Sequence, residues 1–70
     1  MEYIFEDHAG YRMKKRGLLR EDVIDAIEHS DKTLKKYGKY YAQKNIGRGV
    51  IEVYHERMEK YIRIITIYWL

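Results

Sequence analysis

The chain has 70 residues, a length at which one domain has a small core and often gains stability from a partner. It contains no cysteine, which excludes disulfides and thiolate metal sites, and no apolar run approaches the roughly 20 residues of a membrane span. The first residues lack the charged and then apolar opening of a signal peptide. We therefore expect one cytoplasmic domain over residues 1–70, and the abundance of charge with no proline indicates a thermophilic source.

The net charge of +3 is unevenly distributed along the chain. Residues 8–20 and 32–48 contain cations and no acid, whereas residues 21–31 contain acids and neither lysine nor arginine. In the second basic segment tyrosines are interleaved with the cations, so phosphates of a nucleic-acid strand can meet charge while unpaired bases stack on the rings. The alternative is a solvated strand pair whose lysines protect a sheet edge. The RNA-binding set that this pattern predicts is Lys35, Lys36, Lys39, Tyr40, Lys44 and Arg48.

The spacing of apolar residues predicts one strand, two helices and four further strands, in that order. Asp7 is the expected cap of the first helix, which runs to Arg16 and stops at Gly17, a residue that accepts the left-handed conformation. The second helix follows directly and ends at residue 29 or 30. The strands are expected over residues 2–6, 33–37, 39–46, 50–56 and 61–70.

The last of these segments, residues 61–70, has apolar side chains at both odd and even positions. A regular strand with this sequence is apolar on both faces, which is typical of a central strand or of one that a partner covers. Because a free monomer would leave part of that surface in water, we expect a homodimer or a tight complex with a partner.

His8, Arg12 and Arg16 are spaced four residues apart, so a helix places their side chains on one stripe. This stripe is a ready anion-binding surface, and in a reaction that cleaves RNA His8 would move a proton while the two arginines hold the phosphate. Two alternatives stay open. His8 can be a helix-start residue bonded to backbone, and the arginines can pair with acids of the second helix.

The other two histidines are interpreted as structural. His55 alternates with Ile51 and Val53 on an apolar face of its strand, which favours a packed histidine. His29 lies at the expected end of the second helix, where an imidazolium complements the helix dipole. The chain has no HxH or HExxH spacing, so we expect neither a metal site nor another cofactor.

Several short motifs follow one another along the chain. His-Ala-x-x-Arg-Met-x-x-Arg-Gly occupies residues 8–17, and a Glu-Asp-Val helix follows it. A Gly-Lys-Tyr-Tyr strand, a Gly-Arg-Gly turn and the ending Ile-Ile-Thr-Ile-Tyr come later. Over nearly its whole length the chain resembles a bacterial and archaeal family of domains of unknown function. That family in turn looks like a compact relative of the RelE and ParE toxin superfamily.

This resemblance implies an α+β fold of order βααββββ, in which two N-terminal helices pack on one face of an antiparallel sheet. RelE-type proteins are ribonucleases held inactive by an antitoxin, whereas ParE-type proteins attack gyrase. The expected function is therefore the toxin of a toxin-antitoxin pair, a metal-independent endoribonuclease that acts on mRNA and has a cognate antitoxin as partner. The alternative is a non-catalytic module of the same fold that binds RNA or an antitoxin.

Arg63 and Tyr68 resemble the arginine and the late tyrosine of RelE-type sites, and the resemblance implies a catalytic role for both. Their spacing of five residues is unusual, because on a regular strand two such side chains point to opposite faces. Only a bulge between them would place both in one site.

Overall fold

The computed structural model describes all 70 residues of the chain. Its elements come in the order that the sequence predicts, and their ends fall within one or two residues of the expected positions. They are β1 (Glu2–Phe5), α1 (Asp7–Lys15), α2 (Arg20–Glu28), β2 (Lys32–Lys36), β3 (Lys39–Asn45), β4 (Val50–Arg57) and β5 (Tyr61–Trp69).

The five strands form one mixed sheet in the order β1-β5-β4-β3-β2. β2, β3, β4 and β5 are antiparallel to their neighbours, but β1 pairs with β5 in parallel. The expectation of a purely antiparallel sheet is therefore wrong at this edge. Alternation of side chains indicates which face a residue occupies and not which way its strand runs. Both helices and three strands separate β1 from β5, which is ample length for a parallel crossover.

Both helices cover one face of the sheet and enclose the core there. Ala9 of α1 and Val23 of α2 are fully buried, and they belong to the same core cluster as Ile64 and Ile67 of β5. β5 lies between β1 and β4, so the prediction of a central last strand is confirmed. No element covers the opposite side of the sheet, which we call the open face. It carries Leu34, Lys36, Lys39, Tyr41, Gln43, Glu52, Tyr54, Glu56, Arg63 and Tyr68.

β5 contains a β-bulge at Ile65. Tyr54 of β4 pairs with Thr66, and the next residue, His55, pairs with Ile64, so Ile65 has no partner on β4. An extra residue on one strand shifts the alternation of every side chain beyond it. This shift explains why the segment is apolar at both odd and even positions although only one face of β5 lines the core.

The two helices begin in different ways. Glu6 has extended backbone angles at the N-cap position of α1 and makes no capping hydrogen bond, so the expected cap at Asp7 is wrong and Asp7 is the first helical residue. Gly17 ends this region with a φ of +67°, as predicted. At α2 the Asp22 carboxylate accepts a hydrogen bond from the Leu19 N–H at 3.0 Å. Both helices are too short and too polar to span a membrane.

Candidate functional site

The exposed side of α1 brings His8 and Arg12 into direct contact. Arg12 Nε donates a hydrogen bond to His8 Nε2 at 2.8 Å. Only a neutral imidazole can accept at Nε2, so in this arrangement the ring proton is on Nδ1. The side chain of His8 is bonded to Arg12 rather than to backbone, so the alternative of a backbone-bonded helix-start histidine is not observed.

Arg16 continues the same stripe but reaches the sheet. One terminal nitrogen donates to the Ile67 carbonyl at 3.0 Å, and the Arg16 carbonyl accepts from the Trp69 indole N–H at 3.2 Å. β1 has already ended at this level of the sheet, so Arg16 satisfies a carbonyl on an otherwise unpaired edge of β5. The remaining guanidinium donors of Arg16 have no partner in the protein.

The cations of α1 and of the start of α2 form no ion pairs with the protein's own acids. We call this set the α1 basic surface. The alternative in which Arg12 and Arg16 pair with acids of α2 is not observed, because both side chains bond to other groups. Cations without counter-ions leave a positive potential that attracts phosphate. The α1 basic surface consists of Arg12, Lys14, Lys15, Arg16 and Arg20.

Two of the acids of α2, Asp22 and Asp25, are neutralised by the second basic segment instead. Arg48 contacts Asp22 at 3.0 Å and also donates to the Gly17 carbonyl. Lys44 Nζ lies 3.9 Å from Asp25 and donates to the carbonyl of the α2 C-cap residue at 3.0 Å. Two of the six predicted RNA-binding residues therefore join α2 to β3 and to the turn after it.

The other four predicted RNA-binding residues divide between the two sides of the sheet. Lys35 lies opposite Tyr40 on the side that the helices cover, whereas Lys36 lies opposite Lys39 on the open face. Lys39 is 3.9 Å from Glu56. The lysines Lys35 and Lys36 have no acid partner, so they are the members of the set with unneutralised charge. Contact of the set with RNA stays a prediction.

The open face has a network around one carboxylate that sequence reasoning did not single out. Glu52 is 7% exposed. It accepts hydrogen bonds from the Tyr68 hydroxyl and from the Gln43 amide, the latter at 2.6 Å. Burial raises the pKa of the Tyr68 phenol above its usual range, and the hydrogen bond to Glu52 raises it further. Beside this network the rings of Tyr41 and Tyr54 stack with centroids 4.6 Å apart.

Next to this network is a groove of about 500 Å³. Tyr41 and Leu34 provide its aromatic and apolar walls, and Glu52 provides its only acid. The strand alternation of β3 and β4 is the signal that could have grouped these residues, since Tyr41 pairs with Tyr54 across the two strands. The groove is lined by Leu34, Lys35, Lys36, Tyr41 and Glu52.

Arg63 and Tyr68 both lie on the open face because the bulge at Ile65 falls between them. Arg63 Nε is 2.8 Å from a Glu6 oxygen and 3.6 Å from a Glu56 oxygen, but neither oxygen lies in line with its N–H. No hydrogen bond or ion pair joins these two residues to the α1 basic surface. The five predicted catalytic residues thus form two groups, one on α1 and one on the open face.

His55 is fully buried, which confirms the prediction of a packed histidine. Its Nδ1 lies 3.0 Å from the Val53 carbonyl, Arg57 donates to its Nε2 at 3.3 Å, and its ring stacks on Tyr40. Burial lowers the pKa of His55, and the charge of Arg57 lowers it further against the raising effect of the Val53 carbonyl. His29 is the C-cap residue of α2, as expected. No three histidine, aspartate or glutamate side chains converge as metal ligands do.

Comparison with known proteins identifies the family. The model of a family described as a domain of unknown function, DUF4258, matches residues 5–69. No curated protein and no solved structure matches the chain. The matched segment runs from the last residue of β1 to the last residue of β5, and so includes both the α1 basic surface and the open face. The chain therefore belongs to the DUF4258 family of domains of unknown function.

Proposed function

We propose that the chain is the toxin of a toxin-antitoxin pair and cleaves mRNA in the cytoplasm, without a metal ion, at the α1 basic surface. The observation that carries this proposal is the contact of His8 with Arg12 on a surface whose cations have no acid partners. A neutral imidazole can accept a proton through its free ring nitrogen, and an adjacent arginine binds the phosphate whose ester is to be cleaved.

The reaction needs three events at one phosphodiester. When the phosphate takes the Arg12 N–H, the Nε2 lone pair of His8 is released and can accept the proton of the 2′-hydroxyl. The 2′-oxygen then forms a bond to phosphorus, and the bond to the 5′-oxygen breaks as that oxygen takes a proton from water. The hydroxide left by that water takes the proton from His8 and returns it to the neutral form. Arg12 and the free donors of Arg16 stabilise the charge that develops on the phosphate. The products are a 2′,3′-cyclic phosphate and a 5′-hydroxyl.

The resemblance to RelE-type toxins is part of this proposal. It is supported by the order of elements and by two helices on one face of the sheet. We further propose that a cognate antitoxin or a second copy of the chain holds the toxin inactive by covering exposed cations. The RelE-type target is preferred to gyrase because the unneutralised cations suit a phosphate backbone.

A second candidate function is a non-catalytic module that binds RNA or an antitoxin. The observation that favours it is the separation of Arg63 and Tyr68 from His8 by the sheet. A binding module needs a continuous basic surface with tyrosines nearby, and it does not need a proton acceptor beside the phosphate.

Cleavage of an end-labelled transcript, with chelator present and with or without ribosomes, separates the two functions. The test compares the wild type with His8→Ala, and His29→Ala serves as the control because His29 is also an exposed histidine. We expect cyclic-phosphate ends, a rate at least about 100-fold lower for His8→Ala, and an unchanged rate for His29→Ala. RNA binding without cleavage by the wild type would favour the binding module.

A further inference from the structure

Glu52 is an almost buried carboxylate that no cation neutralises. It is 7% exposed, and no lysine, arginine or histidine lies within ion-pair distance of it. Its two oxygens accept from Tyr68 and from Gln43. A charge held in this way is unfavourable for folding without further compensation, and such groups concentrate at functional sites. Each oxygen keeps a further lone pair with which it can accept a hydrogen bond from a ligand.

The surroundings of Glu52 restrict what that ligand can be. Tyr41 offers the groove a ring that is held by stacking on Tyr54, and Leu34 gives it an apolar wall. Lys36 lines the same groove and has no acid partner; its Nζ lies 5.6 Å from the ring centre of Tyr37. A fitting ligand is therefore planar, presents hydrogen-bond donors to a carboxylate and has an anionic group for Lys36.

We propose that this groove binds a guanine nucleotide of RNA, with Glu52 as the residue that selects the base. Guanine presents two adjacent donors, N1–H and the 2-amino group, which match the two oxygens of a carboxylate. Adenine presents a donor beside an acceptor at the corresponding edge and leaves one oxygen of Glu52 without a partner. The phosphate of the same nucleotide meets Lys36, and the base lies along Tyr41.

Tyr68 and Gln43 act in this site as positioning residues. They hold the Glu52 carboxylate by one oxygen each and fix the plane in which it meets the base. A cationic side chain of a protein partner would also satisfy Glu52. Lys36 disfavours it, because its ammonium lies on the face of the sheet that carries the groove and repels a second cation.

Titration of the protein with mononucleotides, followed by NMR shifts of the β3 and β4 amides, tests the assignment. The probes are guanosine, inosine and adenosine 5′-monophosphate, of which inosine lacks only the 2-amino group of guanosine. We expect binding of the adenosine nucleotide to be at least about tenfold weaker than that of the guanosine nucleotide, with inosine between them. Equal binding of the three nucleotides, or no saturable shift with any, overturns the proposal.

Two variants make the test specific to Glu52. Glu52→Gln keeps the size of the side chain but replaces one acceptor by a donor, so the preference for guanosine over adenosine should fall to less than about twofold. Glu56→Gln is the matched control, because Glu56 lies on the same face of β4 and pairs with Lys39 and Arg63. Its preference should equal that of the wild type. If Glu52→Gln does not fold, the affinities of the wild type for the guanosine and inosine nucleotides still test whether the groove selects guanine.

The choice of ligand rests on the proposed RNA-directed function, but the two can fail separately. A mononucleotide has no scissile bond, so its binding does not depend on His8. If cleavage requires His8 but the protein binds all three nucleotides equally well, the guanine site is rejected and the nuclease is kept. If the protein prefers the guanosine nucleotide but cleaves no RNA, the nuclease proposal is rejected and the guanine site is kept. Argininamide is the last probe, and saturable binding stronger than that of the guanosine nucleotide would assign the groove to a cationic protein partner instead.

Discussion

Arg63 and Tyr68 lie on the same face of β5, although five residues separate them, because the bulge at Ile65 falls between the two. Each stands opposite a glutamate of β4: Arg63 pairs in register with Glu56, and Tyr68 with Glu52. Two carboxylates on the open face therefore have partners of different kinds, one a guanidinium and the other a phenol.

The hydrogen bond from Tyr68 to Glu52 should contribute measurably to stability. Tyr68→Phe removes the donor and leaves one oxygen of a nearly buried carboxylate without its partner. We expect the free energy of unfolding to fall by about 1–3 kcal/mol, measured by denaturant titration. Tyr37→Phe is the control, since Tyr37 is 89% exposed and should change nothing. A stability loss of equal size in both variants would contradict a specific contribution from Tyr68.

The salt dependence of RNA binding should follow the cations that have no acid partner. Replacing Arg12 and Lys15 with glutamine is expected to lower the slope of log affinity against log salt by about 0.7 for each phosphate that the protein no longer neutralises. Replacing Lys44 and Arg48 should lower it less, because Asp25 and Asp22 already neutralise those side chains. Fluorescence anisotropy at several salt concentrations gives both slopes. A larger effect of the second pair would place the RNA on the surface formed by Lys44 and Arg48 and not on the α1 basic surface.

Substitution by alanine should change the stability of the fold in opposite directions at two glycines, Gly10 and Gly49. Gly10 lies within α1, and a Cβ there meets nothing within 4 Å, so Gly10→Ala should stabilise the fold by about 0.5–1 kcal/mol. Gly49 has a φ of +146°, and a Cβ there would lie 3.0 Å from the Trp69 ring. Gly49→Ala should therefore destabilise by about 1 kcal/mol or more. Thermal unfolding of both variants decides, and the same sign for both would be incompatible with this backbone geometry.

Acid should destabilise the fold through His55. Burial holds its pKa in the folded state below the usual value of 6.5, so the unfolded chain binds the proton first as the pH falls. The stability that neutral His55 contributes is fully present above pH 6.5 and is lost on acidification through the folded-state pKa. We expect the unfolding free energy to fall as the pH decreases below about 6.5, until His55 is protonated in the folded state as well. His55→Phe should remove part of this slope, whereas His29→Ala should keep it; identical slopes would refute the assignment.

The sequence pattern indicated the elements because apolar spacing follows the local periods of helix and strand. It could not indicate that β1 runs parallel to β5, since alternation of side chains carries no strand direction. Nor could it show the bulge at Ile65, because a strand with apolar residues at odd and even positions does not reveal where the alternation shifts. Both features depend on pairing between distant segments.

The part of the candidate site on α1 could be predicted from the sequence, because its residues are close along the chain. The part on the open face could not, because it depends on pairing between distant segments. The contact of His8 with Arg12 spans one helical turn, so the spacing alone suggests it. The network around Glu52 joins β4 to β3 and to β5, and Tyr68 is 16 residues away along the chain. The pairing of Lys44 with Asp25 likewise depends on how α2 crosses the sheet.

The rate at which the protein cleaves a labelled transcript, with chelator present and ribosomes supplied, tests the catalytic role of His8 most directly. We expect products with cyclic-phosphate ends from the wild type and a rate at least about 100-fold lower from His8→Ala, while RNA affinity stays nearly unchanged. The stability of the variant must be shown to equal that of the wild type. An equal rate of cleavage by folded His8→Ala, or no cleavage by the wild type, would refute the nuclease at the α1 basic surface.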